Sequence, residues 1–207
     1  LRDDLLQSEE DEGSMTDDER DEGPQPVDMQ LILEALDHDG TIDSLAGEGV
    51  TRFNELVRKG VTELAEGRYL DAEETFQRAL LLKPGHPMSA AGEAHAQLGA
   101  GLYPSAAMTL RAVFRRSPEL VDARYNDRLL PGADRLEGIE QDLRRILIRD
   151  DRGAFRTDAG LLLAYIGHQT ERAALIEEGL AAMRNVEGDT AFINVLESVW
   201  QEDAESP

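Results

Sequence analysis

The chain has 207 residues and is 41% hydrophobic, enough for one domain with a real core, while 5% aromatic content argues against a sandwich or barrel. It has no cysteine, which excludes disulfides, thiol nucleophiles and cysteine-ligated metals. A formal net charge of −22 repels phosphate backbones and anionic lipid heads, so neither nucleic acid nor a membrane surface is an expected partner. The longest nearly apolar run, residues 159–167, falls short of the about 20 residues a bilayer span needs. Residue 1 is leucine, so the natural start, with any signal peptide or anchor, is expected upstream.

Residues 1–28 hold twelve acids and two bases. Up to residue 26 there is almost nothing to bury, and such a stretch cannot offset its own ordering entropy, so 1–26 is expected to be disordered. Residues 27–48 read as a short amphipathic helix and a linker. Asp28 fits an N-cap, and Met29, Ile32, Leu33 and Leu36 lie at i, i+3, i+4 and i+7 on one apolar stripe. A helix this short has to dock on something to persist. Residues 37–43 resemble the middle of a calcium-binding loop, with Asp37, Asp39 and Asp43 around Gly40. The first and twelfth ligand positions are Ala35 and Ala46, so the bidentate acid is missing and a capping turn is the better reading.

Two stretches then superimpose at a spacing of 34 residues. Gly67, Tyr69, Ala72, Phe76, Ala79 and Pro84 are matched by Gly101, Tyr103, Ala106, Leu110, Val113 and Pro118. Glycine falls where one helix must stop, a small residue where two helices touch, and proline where the second helix ends. The pattern predicts helical hairpins over 53–84 and 87–118, with helices at about 49–66, 69–83, 87–100 and 103–116.

This pattern resembles the tetratricopeptide repeat family, and in particular its bacterial members. The resemblance implies an all-α solenoid of antiparallel helix pairs, coiled into a right-handed superhelix with a concave peptide-binding face. Lys59 and Glu63 depart from it, since they stand where the family buries apolar side chains, and a rotated or partly exposed first helix is expected.

After Pro118 the period slips. Residues 119–132 contain Pro131-Gly132 and read as a long irregular connection, followed by an amphipathic helix through Leu136, Ile139, Leu143, Ile146 and Leu147. A degenerate third hairpin is predicted over 154–184, with Tyr165, Ala174 and Ala181 at family positions and Gln169 in place of the hairpin glycine. A last helix over 189–203, apolar through Phe192, Ile193, Leu196, Val199 and Trp200, is expected to cap the stack. Eleven arginines lie between residues 111 and 156 among nine acids. They are read as solvated, with internal pairing or an acidic partner as the alternatives.

No catalytic motif has usable spacing. His38, His86, His95 and His168 are scattered, no HExxH, GxSxG, GxxxxGK[ST] or GxGxxG occurs, and no cofactor, metal or enzymatic activity is expected. The resemblance points instead to a binding face. In that family the groove is lined by the second, fifth, sixth and ninth positions of each first helix, with the hairpin glycine as fifteenth. Carried over, these are Asn54, Val57, Arg58 and Val61, then Met88, Ala91, Gly92 and His95, then Arg156, Ala159, Gly160 and Leu163. The family's carboxylate clamp is absent, so a largely apolar groove suited to an amphipathic helix or extended apolar peptide is expected. Plain helix packing explains the same small residues equally well. The expected function is a non-enzymatic protein-interaction scaffold. A self-occluded or self-associating module, and an accessory domain of a larger enzyme or membrane-anchored assembly, are the alternatives. The helix at 29–36 is a candidate built-in competitor for the groove.

Overall fold

The computed structural model describes residues 41–47, 49–149, 153–184 and 190–205. The acidic segment 1–26 and the helix expected at 29–36 lie outside them. Among the described residues the chain is all-α apart from one two-residue strand pair.

Two hairpins open the stack. Helix α1 (Arg52–Ala65) starts at Thr51, whose hydroxyl accepts from the Asn54 amide at 3.1 Å, and it stops at Gly67 with φ +75°. It is followed by α2 (Tyr69–Leu82), α3 (Pro87–Ala100), the left-handed Gly101 at φ +80°, and α4 (Tyr103–Arg116). The repeated small and apolar residues are the core: Ala72, Phe76 and Ala79 of α2, and Ala106, Leu110 and Val113 of α4, are all buried. Phe76 explains two glycines, since a Cβ on Gly60 or Gly92 would lie 2.9 or 2.6 Å from its ring. Helix α3 packs on both α1 and α2, the stacking that a hairpin solenoid requires.

The two polar departures on α1 separate. Lys59 is exposed, whereas Glu63 is buried and accepts from Thr75 at 2.7 Å, with Lys59 and Arg68 each at 3.2 Å. Burial pushes this carboxyl up, but the Thr75 hydroxyl, Lys59 and Arg68 outweigh it and hold it below its ordinary value. Lys59 supplies one of the charges that let Glu63 lie inside. Phe53, Leu56, Gly60 and Leu64 are buried as well, so the helix is not rotated.

Beyond α4 come a 3-10 turn (Pro118–Val121), strand β2 (Arg124–Tyr125), a second 3-10 turn (Asp127–Leu129), and helices α5 (Ala133–Arg149), α6 (Ala154–Gln169), α7 (Ala173–Arg184) and α8 (Thr190–Glu205). Helix α6 packs on α4, α5 and α7, taking beside α4 the place that α3 takes beside α2. Its crossing with α7 is tight: a Cβ on Gly179 would lie 2.4 Å from the Gly160 carbonyl. Four arginines of the arginine-rich stretch pair with acids of the chain, as Arg111–Asp158, Arg124–Glu171, Arg144–Glu178 and Arg145–Asp142. Trp200 of α8 is fully buried beside Phe114, Tyr165 and His168, and donates to the Val121 carbonyl at 2.7 Å.

The third hairpin is read two residues out of register by its sequence. The left-handed residue that ends α6 is Glu171, with φ +54°. Its amide bonds to His168 O and that of Arg172 to Gly167 O, the same pair of bonds made after α1 and α3. Counting from Glu171, the interior positions of α7 are Ile176, Leu180 and Met183, all buried, while Ala174 and Ala181 are exposed. Gly67→Ala and Gly101→Ala are each expected to cost about 1 kcal/mol, because a Cβ is strained at positive φ. Glu171→Gly relieves that strain but gives up an exposed ion pair with Arg124, so its expected effect lies between about 0 and 1 kcal/mol of stabilisation. Urea melts of the three variants check this, and a loss at Glu171 equal to the two glycine losses would count against the register.

Candidate functional site

The corrected register redraws the inner face. Its third row is Asp158, Leu161, Leu162 and Tyr165, in line with Asn54, Val57, Arg58 and Val61 and with Met88, Ala91, Gly92 and His95. The geometry agrees, because the ninth-position residues His95 and Tyr165 meet, Nε2 to hydroxyl, at 2.6 Å. Arg156 instead donates to the Leu147 carbonyl of α5, and Gly160 faces α7. Leu163 is buried about 200° around the helix from Tyr165, away from the inner face.

This face is occupied by the chain itself. Asn54, Val57, Met88, Ala91, Gly92 and His95 are buried, Val61 is half-buried, and Arg58 is exposed. One cover is the segment 117–131, which overlaps the irregular connection expected over 119–132. Leu120, Val121, Ala123, Tyr125, Leu129 and Leu130 all point inward, each no more than 5% exposed. Tyr125 meets the His95 ring edge-on at 4.7 Å, and the Asp127–Leu129 turn packs on α1. Gln169 brackets one edge of β2, accepting from the Tyr125 amide and donating to the Ala123 carbonyl, each at 2.9 Å.

The second cover is residues 41–46. Strand β1 (Thr41–Ile42) runs parallel to β2, with Thr41 opposite Arg124 and Ile42 opposite Tyr125. The Asn126 amide donates to Ile42 O at 3.0 Å and its side chain to Asp43 Oδ1 at 3.2 Å. Of the turn expected over 37–43 only residues 41–43 are described, and Thr41–Ile42 form this strand. Ile42 and Leu45 are buried, and Leu45 occupies the space above Gly92, where a Cβ would lie 2.8 Å from its methyl. Arg58 donates to the carbonyls of Gly47 and Gly49, so this groove position holds the chain's own linker.

The two covers differ in how firmly they are held. The 117–131 segment buries six apolar side chains in the same core that holds Ile42 and Leu45. Residues 41–46 bury two, worth roughly 3–6 kcal/mol together. Fixing six residues costs roughly 6–12 kcal/mol, and each ladder or side-chain hydrogen bond returns about 1 kcal/mol. The N-terminal cover is therefore the less firmly held of the two.

His95 lies at the centre, fully buried, with Nδ1 lacking a hydrogen-bond partner. Burial pushes its pKa down to about 4; the nearby Leu129 carbonyl opposes this only weakly and is not in hydrogen-bonding geometry. Burial also raises the Tyr125 and Tyr165 hydroxyls, so the cluster is neutral at ordinary pH. Among the described residues no three histidine or acidic side chains converge to hold a metal ion, and no helix is long and apolar enough to cross a membrane.

Fold and inner face together define an all-α protein of stacked helical hairpins whose inner side is filled by its own connecting segments. No protein-family model, curated protein or solved structure matches the chain.

Proposed function

We propose that this chain is a non-enzymatic protein-interaction scaffold of the kind that tetratricopeptide repeats form, taking an extended peptide on its inner face. The observation that carries this reading is residues 41–46, already seated there with a short strand at Thr41–Ile42 and two buried aliphatic anchors, Ile42 and Leu45. A face that supplies a strand edge and apolar sockets to one peptide is equipped to supply them to another. The self-occluded module is the second reading, favoured by the burial of the inner-face residues. A net charge of −22 disfavours nucleic acid as the ligand.

A random peptide library displayed on phage and panned against the full chain tests the proposal. Peptides recovered should lose roughly tenfold or more in affinity when the rim carries Arg58→Glu and Val61→Arg. Both positions have solvent access, so the fold should survive the changes. Binders indifferent to the rim, but sensitive to Leu70→Glu and Leu81→Glu on the exposed side of α2, would move the site to the outer face and overturn it.

A further inference from the structure

We infer that residues 41–46 are a tethered stand-in for the partner, and that the partner is a peptide with one aliphatic side chain followed three positions later by another, the first lying on a short strand parallel to Arg124–Tyr125 and the second reached through a bend. This rests on the interaction-scaffold reading and says what the face selects.

Each part of the pattern has a cause in the structure. Only one edge of β2 can accept a strand, because Gln169 satisfies the Tyr125 amide and the Ala123 carbonyl on the other. On the open side the Asn126 amide meets a carbonyl, now that of Ile42, and its side-chain amide meets an acceptor, now Asp43 Oδ1. The peptide therefore carries an acidic or amide residue directly after its first anchor. The first anchor fills the fully buried site of Ile42. The second fills the site of Leu45, where glycine at position 92 leaves room above the Phe76 ring. Removing the strand without replacement would leave the Asn126 amide unpaired, so exchange for another strand is favoured over vacancy.

The link from the cover to the stack is built to hinge. Gly47 and Gly49 stand between it and α1, and Gly49 adopts φ +96° with open space around it. The start of α1 is closed independently by Thr51. A tethered occupant competes at high effective concentration, so an outside peptide binds weakly until the tether is disabled.

The probe is a capped, fluorescein-labelled peptide with the sequence of residues 40–47, titrated into the full chain and into the full chain carrying Ile42→Ser and Leu45→Ser. The variant is expected to bind it more tightly than the wild type by roughly tenfold or more. A peptide with serine at both anchor positions should not bind. Folded variant, shown by a cooperative melt, with no gain in binding would overturn the inference. The chain lacks native cysteine, so Asp43→Cys with Asn126→Cys offers a second arm that keeps the core intact. Oxidation should abolish probe binding and reduction should restore the part carried by the two anchor sites, the Asn126 side-chain donor being lost in both states, and equal binding in both states would also sink the idea. Sedimentation decides between occupants: a monomer with bound peptide supports a foreign partner, and a variant-sensitive dimer that excludes the peptide would replace it with a second copy of the chain. Library peptides that bind through Arg58 and Val61, with no response to the 40–47 probe, would overturn this inference and leave the scaffold reading standing.

Discussion

Trp200→Ala is expected to lower the stability of the chain by about 3–5 kcal/mol, the range for deleting a buried large aromatic side chain. Trp200 is fully buried, stacks on His168 at 5.3 Å and meets Phe114 at 6.2 Å. Its indole donates to the Val121 carbonyl at 2.7 Å, which ties the last helix to the 117–131 cover on the inner face. Truncation leaves both a cavity and an unpaired carbonyl, and each adds to the loss. It is the only tryptophan, so wild-type emission reports this site alone and should be blue-shifted in the native state. A urea melt of the variant that loses less than about 1 kcal/mol would show that α8 contributes little to holding the inner face closed.

The second large effect is acid sensitivity centred on His95. The folded protein holds this imidazole at about 4, against an ordinary 6.5, because burial disfavours the charged form. As pH falls below about 6.5 the unfolded chain takes up a proton that the folded chain refuses, so stability drops until the folded site protonates near pH 4. Above pH 6.5 this group contributes no pH dependence. The full drop is roughly 3 kcal/mol, at about 1.4 kcal/mol for each tenfold change in the proton equilibrium. His86, also held at about 4 by burial and by Lys83, acts in the same direction. Glu63 acts only lower, since a carboxyl held below its ordinary 4.5 loses its stabilisation as pH falls through that range. Urea melts between pH 7.5 and 4.5 should therefore show a steep decline in the wild type and a shallower one in His95→Gln. Equal slopes in the two proteins would remove His95 as the cause.

Whatever repeats over short range was legible in the sequence. Gly67 and Gly101 end their helices at positive φ, and the Ala72, Phe76 and Ala79 spacing with its copy 34 residues on marks the buried side of each second helix. These signals sit inside one hairpin, where helix geometry alone fixes who touches whom. The inner face was legible only as positions, and only for the first two hairpins. In the third the left-handed residue is Glu171, a type that carries no such signal, so counting from Gln169 placed Arg156 and Leu163 on the wrong sides of α6. What covers the face was decided by tertiary structure. Asp43 meets Asn126 across 83 positions and His95 meets Tyr165 across 70. No local period encodes such pairings, because they depend on how far the 117–131 segment folds back rather than on which residues stand beside it. The sequence by itself determined stacked hairpins with an apolar inner side. Burial of Ile42, Leu45, Tyr125 and Trp200 against that side, which lowers the free energy only once all the helices are in place, determined that the side is closed.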